Sequence, residues 1–284
     1  MRLYVLNGGQ LFVEKGFFWH FGTEADTGRD YEPEMKVLRS LQFYIDHPQA
    51  KIIFELGYDY ADFSTFTGFP HRQGPGGEWC HQEADENPMA QLGKIGVRVE
   101  DIDYVVLSHL MSEHVGYLPF FAGTKAKIIV QQAEYDYANR IGTPRRPGEE
   151  PALEQFHSWM YVRTLFEQPG LNWKLIAGDY DLVGRDVQIL SLPGHTPGFQ
   201  AVIARLPHTG TVVLSGCETQ DMYYGIPVRG HGPGIPHAFT WSAAEELASL
   251  KRVRELVAAE GGQIFCGHDG EQFRTLRHSP EYYD

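Results

Sequence analysis

Short, nearly continuous apolar runs punctuate the chain, and one long helical repeat stands out near its end. Residues 2–6 and 51–56 are runs of β-branched and large apolar residues, each closed by Gly or a turn, as buried strands require. The run Ile102-Asp103-Tyr104-Val105-Val106-Leu107 fits a strand covered on both faces. Further strands are predicted at 126–130, 186–191, 199–205, 211–215 and 263–266, and helices near 34–45, 115–122, 132–139 and 152–168, with a helical turn at 88–93. The clearest helix spans 242–259. Ser242 can cap it, Glu245 follows three residues on, Leu247, Leu250, Val253 and Leu256 recur at helical spacing, and Gly261-Gly262 ends it. Residues 58–87 lack periodicity, and Gln73-Gly74-Pro75-Gly76-Gly77 must be loop, long enough for a lid or a contact surface. Mixed strands and helices in two similar halves predict two sheets packed face to face with helices outside. No repeat, low-complexity tract or linker divides residues 1–284, so a single α/β domain is expected.

Composition narrows the picture only a little. Hydrophobic residues make up 42% and charged residues 21%, enough to fill a core and too apolar for disorder. The formal net charge of −13 opposes nucleic acid and anionic membranes as partners. No signal peptide and no apolar stretch near the roughly 20 residues of a membrane span are visible. Cys80, Cys217 and Cys266 are too few and scattered for a disulfide framework, which suggests a reducing cytoplasm.

Three strands run into loops rich in donor side chains: Ser108-His109-Leu110-Met111-Ser112-Glu113-His114, Pro193-Gly194-His195-Thr196-Pro197-Gly198 and Cys266-Gly267-His268-Asp269. A fourth candidate is Gly216-Cys217-Glu218. Layered α/β folds place their sites at strand ends, and a metal needs donors converging from separate ones. His20, His47, His157, His208 and His278 have no such setting and read as surface or hydrogen-bonded residues.

The order and spacing resemble the metallo-β-lactamase superfamily, in particular its branch of N-acyl-homoserine lactonases and related lactone hydrolases. Leu3-Tyr4-Val5-Leu6-Asn7-Gly8-Gly9, the stretch Asp101 to His109 and Leu192 to Gly198 carry the likeness, which covers essentially the whole chain. The resemblance implies an αββα sandwich with a metal site at one edge. It also implies a pair of metals sharing a hydroxide that attacks a carbonyl. Residue by residue, His109 and His195 match ligands of the first metal, and His114 and His268 match ligands of the second.

Against the family signature His-x-His-x-Asp-His, Met111 replaces the second histidine and Glu113 the aspartate, while Cys217 stands at the bridging aspartate. Gln220 stands where this branch usually offers a tyrosine, with Tyr223 and Tyr224 close by, and Glu55-Leu56-Gly57 replaces the usual Asp-Thr-Gly turn. Methionine is a weak donor for zinc, whereas a cysteine thiolate is a good one. The expectation is therefore one zinc rather than two, held by Glu113, His114, Cys217 and His268, with Glu113 or Asp269 moving the proton and a small lactone or ester as substrate. The aromatic segments 17–19 and 63–69 are candidate pocket walls, core and lid packing being the other reading. Two further readings stand open: a supporting subunit in an oligomer with an intact homologous hydrolase, with 58–87 as its contact surface, and a metal-free ligand-binding protein.

Overall fold

The computed structural model describes residues 1–14, 18, 35–63, 79–142, 160–226 and 232–284. Two sheets form the frame. The first has seven strands in the order β4-β1-β2-β3-β5-β6-β7: β1 Arg2–Glu14, β2 Met35–His47, β3 Ala50–Phe54, β4 Cys80–His81, β5 Tyr104–Val106, β6 Lys127–Gln131 and β7 Asn172–Ile176. The second has five, in the order β12-β11-β10-β9-β8: β8 Tyr180–Val183, β9 Val187–Ser191, β10 Gln200–Leu206, β11 Gly210–Ser215 and β12 Gln263–Cys266.

Alternation of side chains along each strand sorts the apolar residues into layers. Leu3, Val5, Phe43, Ile45, Ile52, Phe54, Val106 and Ile129 from the first sheet meet Val187, Ile189, Val202, Ala204, Val212, Leu214 and Phe265 from the second in one buried cluster between the sheets. Their neighbours, Tyr4, Leu6, Tyr44, Ile53, Val105, Ile128 and Val130 on one side and Ala201, Ile203, Val213 and Ile264 on the other, face the outer layers. Both faces of the central strands are therefore covered, which is why the runs read as continuous rather than alternating.

The outer layers are helical. We number the helices α1 (Pro88–Lys94), α2 (Ser112–Val115), α3 (Gln132–Ile141), α4 (Gln220–Tyr224), α5 (Ala243–Glu260) and α6 (Gly270–Phe273). The side chain of Asn87 caps α1, accepting from Ala90 N. α5 begins at the Ser242 cap, buries Leu250, Val253 and Val257, and ends on Gly261 at φ 62°, a left-handed residue that glycine adopts without strain. Leu247, placed on the apolar face by its spacing, is 41% exposed instead.

The segment 34–45, expected as a helix, is strand β2, paired with β1 from Arg2↔Asp46 to Glu14↔Met35. Leu38, Leu41 and Ile45 fall at helical spacing, but Leu41, Phe43 and Ile45 alternate, and that period places all three between the sheets. The expected helix at 115–122 is replaced by the single turn α2 and a 3₁₀ turn at Leu118–Phe121. Of the expected 152–168 helix the described part holds one turn, Arg163–Phe166. Strands β7 and β8 were not anticipated.

Candidate metal centre

The donor loops leave the carboxyl ends of β3, β5, β9, β11 and β12. Because β3 and β5 run parallel, as do β11 and β12, their ends open on one rim. Two glycines let the rim close. A Cβ at Gly216 would meet Ser108 Oγ at 2.4 Å, and one at Gly194 (φ 150°) would meet Glu246 Cα at 2.2 Å.

On this rim the four expected histidines meet. Ring centroids lie 4.1 Å apart for His109 and His114, 4.9 Å for His109 and His195, and 5.2 Å for His114 and His268. Donor atoms fall into three sets, each mutually within 4.8 Å: His109, His195 and Cys217; His114, Cys217 and His268; His109, Glu113 and His114. Cys217 joins two of these sets, and its Sγ is 3.5 Å from His195 Nε2. All six side chains are buried.

Outer partners fix the rings. His109 Nδ1 pairs with Ser108 Oγ at 2.8 Å, and His268 Nδ1 donates to the Arg39 carbonyl at 2.6 Å, leaving its Nε2 lone pair for the cluster. His114 Nδ1 is bonded to the Glu55 carboxylate, whose other oxygen accepts from Ser108 N. Glu55 sits at φ 69°, a left-handed conformation, at the end of β3, where its carboxylate meets His114 and Ser108.

Charge is concentrated here. Burial raises the Glu113 carboxyl, and the charge on His114 offsets this only in part. Burial opposes a charged His114, but Glu55 and Glu113 outweigh it and lift its pKa. Burial, aided by His114, pushes His268 down to about 3, so it is a neutral donor. The Cys217 thiol is held well above its usual value by burial and by Glu113 and Glu218. Glu218, itself raised to about 7 by burial, bonds to Ser215 Oγ.

Burial favours the protonated forms of Glu113 and Cys217, and a cation among the donors would favour their deprotonated, ligating forms. Glu113 Oε2 and His114 Nε2 are buried without a hydrogen-bond partner, the state in which a ligand atom waits for a metal. Neutral imidazole, a cysteine sulfur that binds as thiolate, and carboxylate match zinc's preferred donors. The residues present therefore fit a zinc ion.

Several expected side chains lie elsewhere. Asp269 does not converge on the donors: its Oδ1 accepts from Glu271 N and Gln272 N at 2.9 and 2.7 Å and its Oδ2 from Gln220 N at 2.7 Å, so it caps α6. Met111 is fully buried in the apolar core. Gln220 donates its amide to Ile264 O at 2.8 Å, Tyr223 pairs with Ser215 Oγ at 2.9 Å, and Tyr224 is 49% exposed. Beside the donors lies a small cleft, lined among the described residues by Leu11, Val13, Phe18, Leu38, Trp79, Met160 and Phe239, with Glu113, Cys217 and His268 also on its wall. Segments 64–78 and 152–159, with most of the expected aromatic loops, lie outside the described residues.

Sequence reasoning passed over Glu55, Glu134, His237 and Glu246. His237 is fully buried, its ring 4.0 Å from that of His195 and its Nδ1 2.5 Å from Glu246 Oε1. Only the histidine count hinted at it, whereas Glu55 carried a real signal, a lone carboxylate closing an apolar strand.

A two-sheet αββα sandwich with a histidine-rich rim defines a class of metal-dependent proteins. Residues 74–268 match the family described as the Metallo-beta-lactamase superfamily, and the chain belongs to it. Within that family it is 30% identical to the N-acyl homoserine lactonase AttM of Azorhizobium caulinodans, over 100% of this chain and 99% of that one. It is 27% identical to the AttM lactonase of Rhizobium radiobacter, over 100% and 98%. A solved N-acyl homoserine lactone hydrolase, with the product N-hexanoyl-L-homoserine at its catalytic metal center, has the same fold. Its TM-score is 0.74 and its identity 24%, with 99% of this chain and 98% of that one covered.

Proposed function

We propose that the chain is a zinc-dependent hydrolase that opens small lactones or similarly activated esters. The observation that carries this reading is the pair of three-donor sets sharing Cys217 at the wall of an apolar cleft. Full-length similarity to proteins named as N-acyl homoserine lactonases supports the substrate class.

One ion is held by His114, Cys217 and His268 with Glu113 beside them. His109 and His195 form the other set with Cys217, and with Met111 in the apolar core that set has no fourth protein donor among the described residues. Zinc bound there supplies Lewis acidity and water of lowered pKa. The remaining work falls to the chain. Glu55 holds His114 in one tautomer through Nδ1. Glu113, whose Oε2 is buried and unpartnered, is the carboxylate placed to take up and return a proton, since Asp269 is committed to three backbone amides. Phe18, Trp79 and Phe239 exclude water and grip the apolar part of the substrate.

Acid release from N-acyl homoserine lactones of increasing acyl length tests this. Each methylene buried in the cleft should improve kcat/KM by up to about fourfold until the cleft is full, at about 0.8 kcal/mol per methylene. Chelator treatment should abolish the activity and zinc restore it. Zinc-loaded protein that opens no lactone and cleaves no activated ester would overturn the reading.

A further inference from the structure

Glu134 lies on α3, away from the donor cluster, yet it is fully buried and both its oxygens are doubly engaged. Oε1 accepts from Leu110 N at 3.0 Å and from the Tyr161 hydroxyl at 2.8 Å. Oε2 accepts from the Thr196 hydroxyl at 2.6 Å and from Gly198 N at 3.3 Å. Leu110 follows His109 and Thr196 follows His195, so one carboxylate ties together two donor turns far apart in sequence. The contact is close: a Cβ on Gly198 would sit 2.3 Å from Glu134 N. Burying a carboxylate is costly unless its lone pairs are filled, and here four donors fill them. An amide cannot substitute, because its NH₂ would face one of the two donor pairs.

We propose that Glu134 is a positioning residue that sets the approach of His109 and His195 to Cys217, the donor shared between the two sets. The inference rests on the zinc reading above. A thiolate's strength as a ligand depends on the groups that bond to it, and His195 Nε2 is the group 3.5 Å from Sγ. Loosening either turn lets an imidazole drift from the sulfur and changes the ligand field with no ligand removed.

The test uses the full chain and the variants Glu134→Gln, Tyr161→Phe and Thr196→Val. The last two each remove one arm and guard against a Glu134→Gln chain that fails to fold. Zinc affinity is read by competition with a chromophoric chelator, the thiolate by the sulfur-to-metal absorption of the Co(II)-loaded protein, and the clamp by amide exchange at Leu110 and Gly198 in metal-stripped protein. Glu134→Gln should weaken zinc binding on the order of 10- to 100-fold, as loss of outer partners of metal ligands does. It should also shift the Co(II) absorption and speed exchange at both amides together, with smaller changes of the same sign in the single-arm variants. Folded variants with parental affinity and absorption would overturn the inference, as would exchange that rises in one turn only. If the parent itself takes up neither metal, the zinc reading falls, and with it the role assigned to Glu134.

Discussion

Replacing Glu55 by Gln keeps the size of the side chain but removes one of two acceptors in a fully buried place. The carboxylate serves His114 Nδ1 with one oxygen and Ser108 N, at 2.5 Å, with the other. Glutamine can satisfy one and must turn its NH₂ on the other donor. A hydrogen bond to a charged group contributes about 1.5–3 kcal/mol, and a donor stranded in the interior costs about 1–3 kcal/mol more. The variant should therefore lose about 2.5–6 kcal/mol. Scaled to a chain of this length, at about 2.1 cal/mol/K per residue, this is a fall in Tm of about 4–10 °C. Zinc affinity should drop on the order of 10- to 100-fold, because the ring of His114 is no longer held in one tautomer. Thermal unfolding of the metal-free chain and chelator competition on the loaded chain separate the two effects. Unchanged melting together with unchanged affinity would refute the account of how β3 supports the site.

Other perturbations have definite signs. His237→Phe removes the imidazole partner of the buried Glu246 carboxylate, leaving it the backbone N–H of residue 237, and should destabilise by about 3 kcal/mol in urea unfolding, with His237→Phe/Glu246→Leu recovering much of the loss. The Glu260 carboxylate accepts a forked pair of bonds from Arg205 at 2.8 and 2.7 Å, and this holds its pKa below the ordinary value. Its contribution is complete above the unfolded-state pKa of glutamate and is lost as pH falls through the lowered folded value. Glu260→Gln should thus cost about 1 kcal/mol at neutral pH, discounted for partial exposure, and nothing in strong acid, by urea unfolding at both.

Much of the frame was legible because it is written in local periods. The runs at 51–56, 102–107 and 211–215 announce strands, the second of them covered on both faces, and the capped repeat at 242–259 announces α5. β2 was misread because its apolar residues satisfy a helical and an alternating period at once, and only pairing with β1 decides between them. The histidines at 109, 114, 195 and 268 were found because each lies in a donor-rich loop that follows a strand. Their supports were not: Glu55 is visible as a lone carboxylate closing an apolar strand, but nothing local shows that it meets the ring of His114, 59 residues away. Asp269 was legible in principle: Asp-Gly-Glu-Gln after a strand is a helix-capping sequence, and the structure uses it as one.

Zinc content of the full chain, purified without chelators and compared with Cys217→Ser and His268→Ala, bears most directly on the central claim. About one zinc per parental chain, lost in both variants while the fold persists by circular dichroism, is the expected result for a site of this ligand count. A parental chain that carries none and takes up none from micromolar zinc, or variants that hold as much as the parent, would contradict it.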